Sequence, residues 1–243
     1  MQTQPSSPPK PVTDWWRPDL VFLPPLTLPR RLFRRFARRL AKLLTFLFLK
    51  PVIRGMENFP AHGPALVVIN HLGDADVVLL AAAVPALLDG MGKIELNAHW
   101  LVGPLFRAYG VIWVHRGKPD RKAVRAALEA VSQGRFLALA PEGRQSVIGG
   151  LEEGTEGAAF LALKSGAPIV PVGMTGTEND NVYGHMRRLQ RAPVTLTVGQ
   201  PFYLKEDGDH RQALQEGTQR IMHSLAELLP EAYRGKYKYR TYA

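Results

Sequence analysis

The sequence predicts an α/β fold: a largely parallel central sheet flanked by helices, preceded by an amphipathic N-terminal helix. Three observations carry this. Hydrophobic residues make up 46% of the 243 positions, enough to build the core of one large domain. Beyond Pro51, short β-rich runs alternate with helical stretches, the texture of strands joined by crossover helices. Between Arg30 and Leu49 the apolar residues recur at helical spacing.

In chain order, Met1–Pro11 is rich in Pro, Ser and Gln. It lacks the charged-then-apolar order of a cleavable leader, and is expected to be a disordered tail. Residues 12–29 hold Trp15, Trp16 and four prolines, an extended stretch ending in Pro29, which suits the first turn of a helix. Stepping 100° per residue from Arg30 gathers Arg30, Arg31, Arg34, Arg35, Arg38, Arg39 and Lys42 on one half of a wheel. Leu32, Phe33, Phe36, Leu40, Leu43, Leu44 and Leu47 fall on the other. A basic half opposite a Phe/Leu half is the pattern of a helix lying in a lipid interface, with the tryptophan pair suited to the same depth. A basic surface helix packed on its own core, or an arginine-rich nucleic-acid contact, are the competing readings. The apolar bulk opposite the arginines favours lipid over nucleic acid. No apolar run is long enough to span a bilayer, the best being Leu43 to Leu49 between two lysines.

Further on, strands are predicted at Ala65–Ile69, Val111–Val114, Phe136–Leu139, Pro168–Val172 and Val194–Val198. Helices are predicted at Asp76–Leu88, Ala98–Tyr109, Arg121–Ser132, Ala158–Lys164 and Gln212–Leu229, before a basic tail, Arg234 to Arg240. No internal repeat is visible. The organisation expected is a flexible tail over 1–28, an interfacial helix over 29–50 and an α/β domain over 51–243.

The net charge of +10, from 31 Lys and Arg against 21 Asp and Glu, calls for an anionic partner. The absence of cysteine excludes a disulfide scaffold, a thiolate nucleophile and a cysteine metal site, and the seven scattered histidines lack ligand spacing, so no metal is indicated. There is no Gly-Lys-Ser/Thr phosphate loop and no strand-linked Gly-x-Gly-x-x-Gly.

Four constellations carry chemistry. In Asn70-His71-Leu72-Gly73-Asp74-Ala75-Asp76, a strand-to-helix turn would put His71 in the turn and Asp76 in the first helical turn, with Asp74 as cap. Asp76 could then orient one ring nitrogen of His71 and leave the other as a base toward a hydroxyl. An ordinary capped turn explains the same heptapeptide. Gly110-Val-Ile-Trp-Val-His115-Arg116 delivers a cation at a strand end, where ligands gather in parallel sheets, so Arg116 is a candidate phosphate anchor. Ala140-Pro141-Glu142-Gly143-Arg144-Gln145-Ser146 ends another strand. There Glu142 and Arg144 could hold a polar substrate, and Gly143 would allow close backbone approach. The fourth is Ala167-Pro168-Ile-Val-Pro171-Val172-Gly173, an apolar strand shaped by prolines.

In order and spacing these four resemble the blocks of the glycerolipid acyltransferases, the lysophosphatidic acid acyltransferase group in particular, over roughly residues 50–200. The resemblance implies that His71 is the general base and Asp76 orients it. It implies that Arg116, Glu142, Gly143 and Arg144 bind a glycerol phosphate. The acyl donor would be a thioester on coenzyme A or acyl carrier protein, with direct attack, no acyl-enzyme, and no cofactor beyond that co-substrate. The acceptor would be a lysophospholipid such as 1-acylglycerol-3-phosphate, and no nucleic acid would be involved. The expected setting is the cytoplasmic face of the cell membrane, held peripherally or monotopically. The chain departs from the family pattern at Gly73, where many members have Ser. It also departs in the third block, where the arginine stands one place nearer Glu142. Lys93 and Glu95 fall where the family often has a Lys and a Glu-Leu pair, and are expected to be solvated charges or local packing. The same transfer onto another lipid or glycolipid alcohol, and a non-catalytic membrane-binding protein, are the alternatives.

Overall fold

The structure is a computed structural model that describes residues 8–117, 119–206 and 208–238. Residues 1–7 of the expected tail and the end of the basic C-terminal run lie outside them. The centre is a seven-stranded sheet: β1 (Leu49–Arg54), β2 (Ala65–Ile69), β3 (Leu88–Lys93), β4 (Ile112–Val114), β5 (Phe136–Leu139), β6 (Ile169–Thr175) and β7 (Ala192–Val198). Their spatial order is β1-β7-β6-β2-β5-β3-β4, and every pairing is parallel except β6 with β7. The α/β expectation with a largely parallel sheet is met. Strands β2 to β6 all end on one edge, and that edge receives the turns bearing the first three sequence blocks, the fourth running into β6 itself.

The residues of β2 alternate between the two faces, as a period of two requires. Leu66 and Val68 pack against α4 (Arg121–Ser132), α5 (Gly157–Ser165) and α7 (His210–Leu228). Ala65, Val67 and Ile69 face α2 (Ala75–Ala83) and α6 (Asn179–Arg187). Both faces are covered, which explains why β2 is apolar throughout rather than half polar.

The first helix, α1 (Leu28–Phe48), opens on Thr27, whose side chain accepts from the Arg30 N–H, with Pro29 in the first turn. Its orientation is the reverse of an ordinary surface helix. The buried line runs through Arg34, Ala41 and Thr45. Leu32, Phe36, Leu40, Leu43 and Leu47 are 41–58% exposed. The arginines attach the helix to the domain. Arg38 donates to the carbonyls of Val84 and Pro85 at the end of α2, at 2.6 and 3.0 Å, supplying donors to carbonyls that a helix end leaves unpaired. Arg34 is 2% exposed, bonds the Leu88 carbonyl, lies over the Tyr109 ring and pairs with buried Asp89 at 3.2 Å. A third helix, α3 (Val102–Tyr109), packs beside α1, and Trp100, Leu101 and Leu105 near it are also exposed.

From Pro8 onward the expected flexible tail is held down as a strap. It is extended and non-helical, and it crosses the β4 edge. The Thr13 N–H donates to the Arg116 carbonyl (2.9 Å), and the Arg116 N–H returns a bond to the Thr13 hydroxyl (2.8 Å). Val21 is buried with Ile94, Val111 and Trp113 in a small separate core. Three elements differ from expectation by being present at all: β1, β3 and α6. The helix expected over Asp76–Leu88 ends at Ala83, before Pro85, and its last residue, Leu88, opens β3, a strand lying between β5 and β4.

Candidate active site

His71 stands two residues beyond β2. Asn70 fixes the position: its side-chain amide donates to the Met174 carbonyl (2.8 Å) and its carbonyl accepts from the Met174 N–H (2.7 Å). That reciprocal pair ties the ends of β2 and β6 together, which only an amide side chain can do. The Asp76 carboxylate, fully buried in the first turn of α2, reaches back over the turn. Its Oδ2 takes the N–H groups of Leu72 (2.6 Å) and Gly73 (2.9 Å) and lies 2.7 Å from His71 Nδ1. Two backbone N–H groups make Oδ2 an acceptor, so the bond to His71 is donated by an Nδ1–H. The lone pair is therefore on Nε2, which has no protein partner among the described residues, and the side chain is 27% exposed. Asp74 occupies the cap position but makes no capping bond, contrary to expectation. Its carboxylate accepts from the Tyr183 hydroxyl instead.

Gly73, where many relatives of the resembled family have Ser, is dictated by packing. A Cβ there would sit 2.1 Å from the Thr177 carbonyl oxygen.

The third block serves the His71 turn as a scaffold. Glu142, fully buried, accepts the His71 N–H on Oε1 (3.4 Å) and the Glu152 N–H on Oε2 (2.7 Å). Burial pushes its carboxyl up to about 7, against the pull of those two N–H groups. The Ser146 N–H donates to the His71 carbonyl (2.7 Å), and the Gln145 side chain to the Leu72 carbonyl (2.9 Å). Arg144 turns inward: its Nε donates to Glu152 Oε2 (2.7 Å) and its Nη1 to the Pro9 carbonyl of the strap (3.2 Å). Glu142 and Arg144, expected to hold substrate, are both engaged here by protein partners. A Cβ at Gly143 would make only an ordinary contact, 3.7 Å from Thr155 Cγ2, but φ is +71°, so backbone conformation rather than close approach selects glycine.

On the other side of the same edge, Arg116 follows β4, one-fifth exposed, with Nη2 3.6 Å from Glu95. Glu95 is therefore paired rather than solvated, while Lys93, at the end of β3, is exposed as expected. The strap also brings in Lys10, which donates to the Glu153 carbonyl (2.7 Å). Burial lowers the Lys10 pKa, opposed by Glu142, Glu152 and Glu153. Among the described residues, no three His, Asp or Glu side chains converge to hold a metal.

One pair went unrecognised in the sequence. His115-Arg-Gly117-Lys-Pro-Asp120 repeats the pattern His-x-Gly-x-x-Asp of residues 71–76. Its Nδ1 is 2.6 Å from Asp120 Oδ2, which also accepts the His115 N–H. Here Nε2 is taken, accepting the Arg17 N–H of the strap at 3.0 Å, and Trp16 stacks on the ring at 4.1 Å. The repetition of the hexad was the available signal.

The fold and the pair define a class: an α/β protein with a hydrogen-bonded His–Asp pair at the carboxyl edge of its largely parallel sheet. The family model described as Acyltransferase matches residues 50–175, and the chain belongs to that family. Relatives include a Brassica napus chloroplastic 1-acyl-sn-glycerol-3-phosphate acyltransferase, 28% identical over 72% of this chain and 52% of that protein. Another is a probable 1-acyl-sn-glycerol-3-phosphate acyltransferase of Mycoplasma pneumoniae, 31% identical over 70% of this chain and 65% of that protein. The chain spans about half the length of the chloroplast relatives it matches. The crystal structure of PlsC, the 1-acyl-sn-glycerophosphate acyltransferase of Thermotoga maritima, shares the fold, with a TM-score of 0.60, 24% identity and 84% coverage of each chain.

Proposed function

We propose that this protein moves a fatty acyl group from an acyl thioester, on coenzyme A or acyl carrier protein, to the free hydroxyl of a lysophospholipid, with 1-acylglycerol-3-phosphate as the leading acceptor. The observation that carries the reading is the His71 ring, with Nδ1–H held on ionised Asp76 and the Nε2 lone pair left open. Nε2 takes the acceptor's hydroxyl proton as its oxygen attacks the thioester carbonyl. Asp76 stabilises the imidazolium. Collapse of the tetrahedral intermediate breaks the C–S bond, and the departing thiolate recovers the proton from Nε2. Arg116, one-fifth exposed just after β4 on the same sheet edge, is the candidate cation for the acceptor's phosphate.

The outward apolar arc of α1, continued by Trp100, Leu101 and Leu105, is the proposed membrane contact at the cytoplasmic face. No described helix is long and apolar enough to cross a bilayer. A second reading, transfer to another lipid or glycolipid alcohol, is favoured by the engagement of Arg144 with Glu152, which leaves one fewer cation for a phosphate. The test is acyl transfer by purified protein across a panel of acceptors. Activity on an unphosphorylated alcohol with none on 1-acylglycerol-3-phosphate would select the second reading. Activity on neither, with an intact fold, would defeat both.

A further inference from the structure

At the edge of the sheet opposite His71, a notch of about 240 Å³ opens between α1 and the beginnings of β3 and β5. Arg31, Arg34, Arg35 and Arg135 line it, with Asp89 as its carboxylate. Four guanidiniums against one acid leave an excess of three positive charges. Asp89 is shared between Arg34 Nη1 (3.2 Å) and Arg135 Nη1 (3.7 Å), so it fully satisfies neither. Arg34 Nε and Arg135 Nη1 are buried without a hydrogen-bond acceptor. Among the described residues, neither Arg31 nor Arg35 has a carboxylate partner. Native interiors rarely leave charged donors unpaired, and planar guanidinium forks match tetrahedral oxyanions with two bonds each.

We propose that this notch is an oxyanion site for a phosphate group, separate from the acyl-transfer site. The phosphate of an anionic lipid headgroup and free inorganic phosphate share this chemistry. The position favours the headgroup. On the α1 wheel, Arg31 and Arg35 lie on the flank between the buried Arg34–Ala41–Thr45 line and the outward Leu32–Phe36–Leu40 arc. A helix seated by that arc would hold the notch at headgroup depth. The headgroup version rests on the membrane reading of α1, whereas the oxyanion site itself does not.

The test uses full-length protein with Arg31→Gln and Arg35→Gln together, leaving the buried Arg34–Asp89–Arg135 group intact. The control, Arg39→Gln with Lys42→Gln, removes two exposed charges from the same helix outside the notch. Binding is measured to phosphatidylcholine vesicles with and without phosphatidic acid, and separately to inorganic phosphate by calorimetry. The notch variant is expected to lose about thirtyfold or more in affinity for the acidic vesicles, and the control clearly less. Saturable phosphate binding by the wild type, abolished only in the notch variant, would support the site with free phosphate as occupant. Equal losses in the two variants, with no saturable phosphate binding, would mean diffuse surface attraction and overturn the site. Acyl transfer in detergent micelles, assayed alongside, reports on the proposed activity independently.

Discussion

His71 and His115 head the same hexad, and each gives its Nδ1 to the Asp five places on, at 2.7 and 2.6 Å. In both, backbone N–H groups converge on the carboxylate and set the same tautomer. They differ in what meets Nε2. At His71 it is open and the side chain is 27% exposed. At His115 it accepts a strap N–H, the side chain is 1% exposed, and the second carboxylate oxygen caps α4 through the Lys122 and Ala123 N–H groups. Burial pushes the Asp120 carboxyl up, but its bonds from His115 and Ala123 outweigh this and hold it below the ordinary value. The hexad thus builds an oriented imidazole. Whether that imidazole does chemistry depends on what covers its far nitrogen.

The comparison breaks most directly at the rings. His71→Ala should lower turnover about a hundredfold or more with little change in melting, since the part-exposed ring is the proposed general base. His115→Ala should do the reverse, losing about 1–3 kcal/mol as it strands the Arg17 N–H and takes one donor from the Asp120 carboxylate, with a far smaller effect on turnover. Parallel kinetics and thermal melts check both. Loss of turnover in His115→Ala with unchanged melting would end the distinction.

The glycines of the two hexads sharpen it. Gly73→Ser forces a Cβ to 2.1 Å from the Thr177 oxygen, so the catalytic turn must shift; we expect at least about tenfold lower turnover together with a loss of about 1–3 kcal/mol. Gly117 has φ +83°, and its Cβ would meet Val12 Cγ2 at 2.6 Å. Gly117→Ala should cost about 1–2 kcal/mol and loosen the strap, seen as faster amide exchange at residues 12–17, with turnover the less affected quantity.

The most gradual effect is the pH response of Glu142, which belongs to the open hexad alone. Its folded value of about 7 lies above the ordinary 4.5, so its contribution to stability is present in acid and is lost as pH rises through about 7. Wild type should therefore lose on the order of 1–3 kcal/mol between those limits relative to Glu142→Gln, measured by denaturant midpoints across the range. Parallel curves for the two proteins would show that Glu142 does not titrate there.

Much of the fold was legible because its central strands are buried on both faces. Ala65–Ile69 and Phe136–Leu139 are unbroken apolar runs, and Arg121–Ser132 has a clean helical period behind the Asp120 cap. Strand β3, Leu-Asp-Gly-Met-Gly-Lys, has neither alternation nor β-branched residues; its neighbours, not its composition, make it a strand. Helix α6 is too polar to announce itself, and β1 is an edge strand interrupted by Pro51. For α1, the wheel separates basic from apolar halves but says nothing about which half meets the protein, because the carbonyls that receive Arg38 belong to residues about fifty places away. At the site, the bonded His71–Asp76 pair follows from local spacing. The inward turn of Arg144 depends on Glu152 and on a strap residue, Pro9, 135 positions distant.

The strap has a consequence for synthesis on the ribosome. Thr13 leaves the exit tunnel early, yet its partner Arg116 follows 103 residues later. At about 5–20 residues per second, that interval is roughly 5–20 seconds. Throughout it the tryptophan-bearing segment has no surface to close on, and His115, once made, stays uncovered until the segment returns. Closure of the strap over His115 therefore cannot precede synthesis of β4.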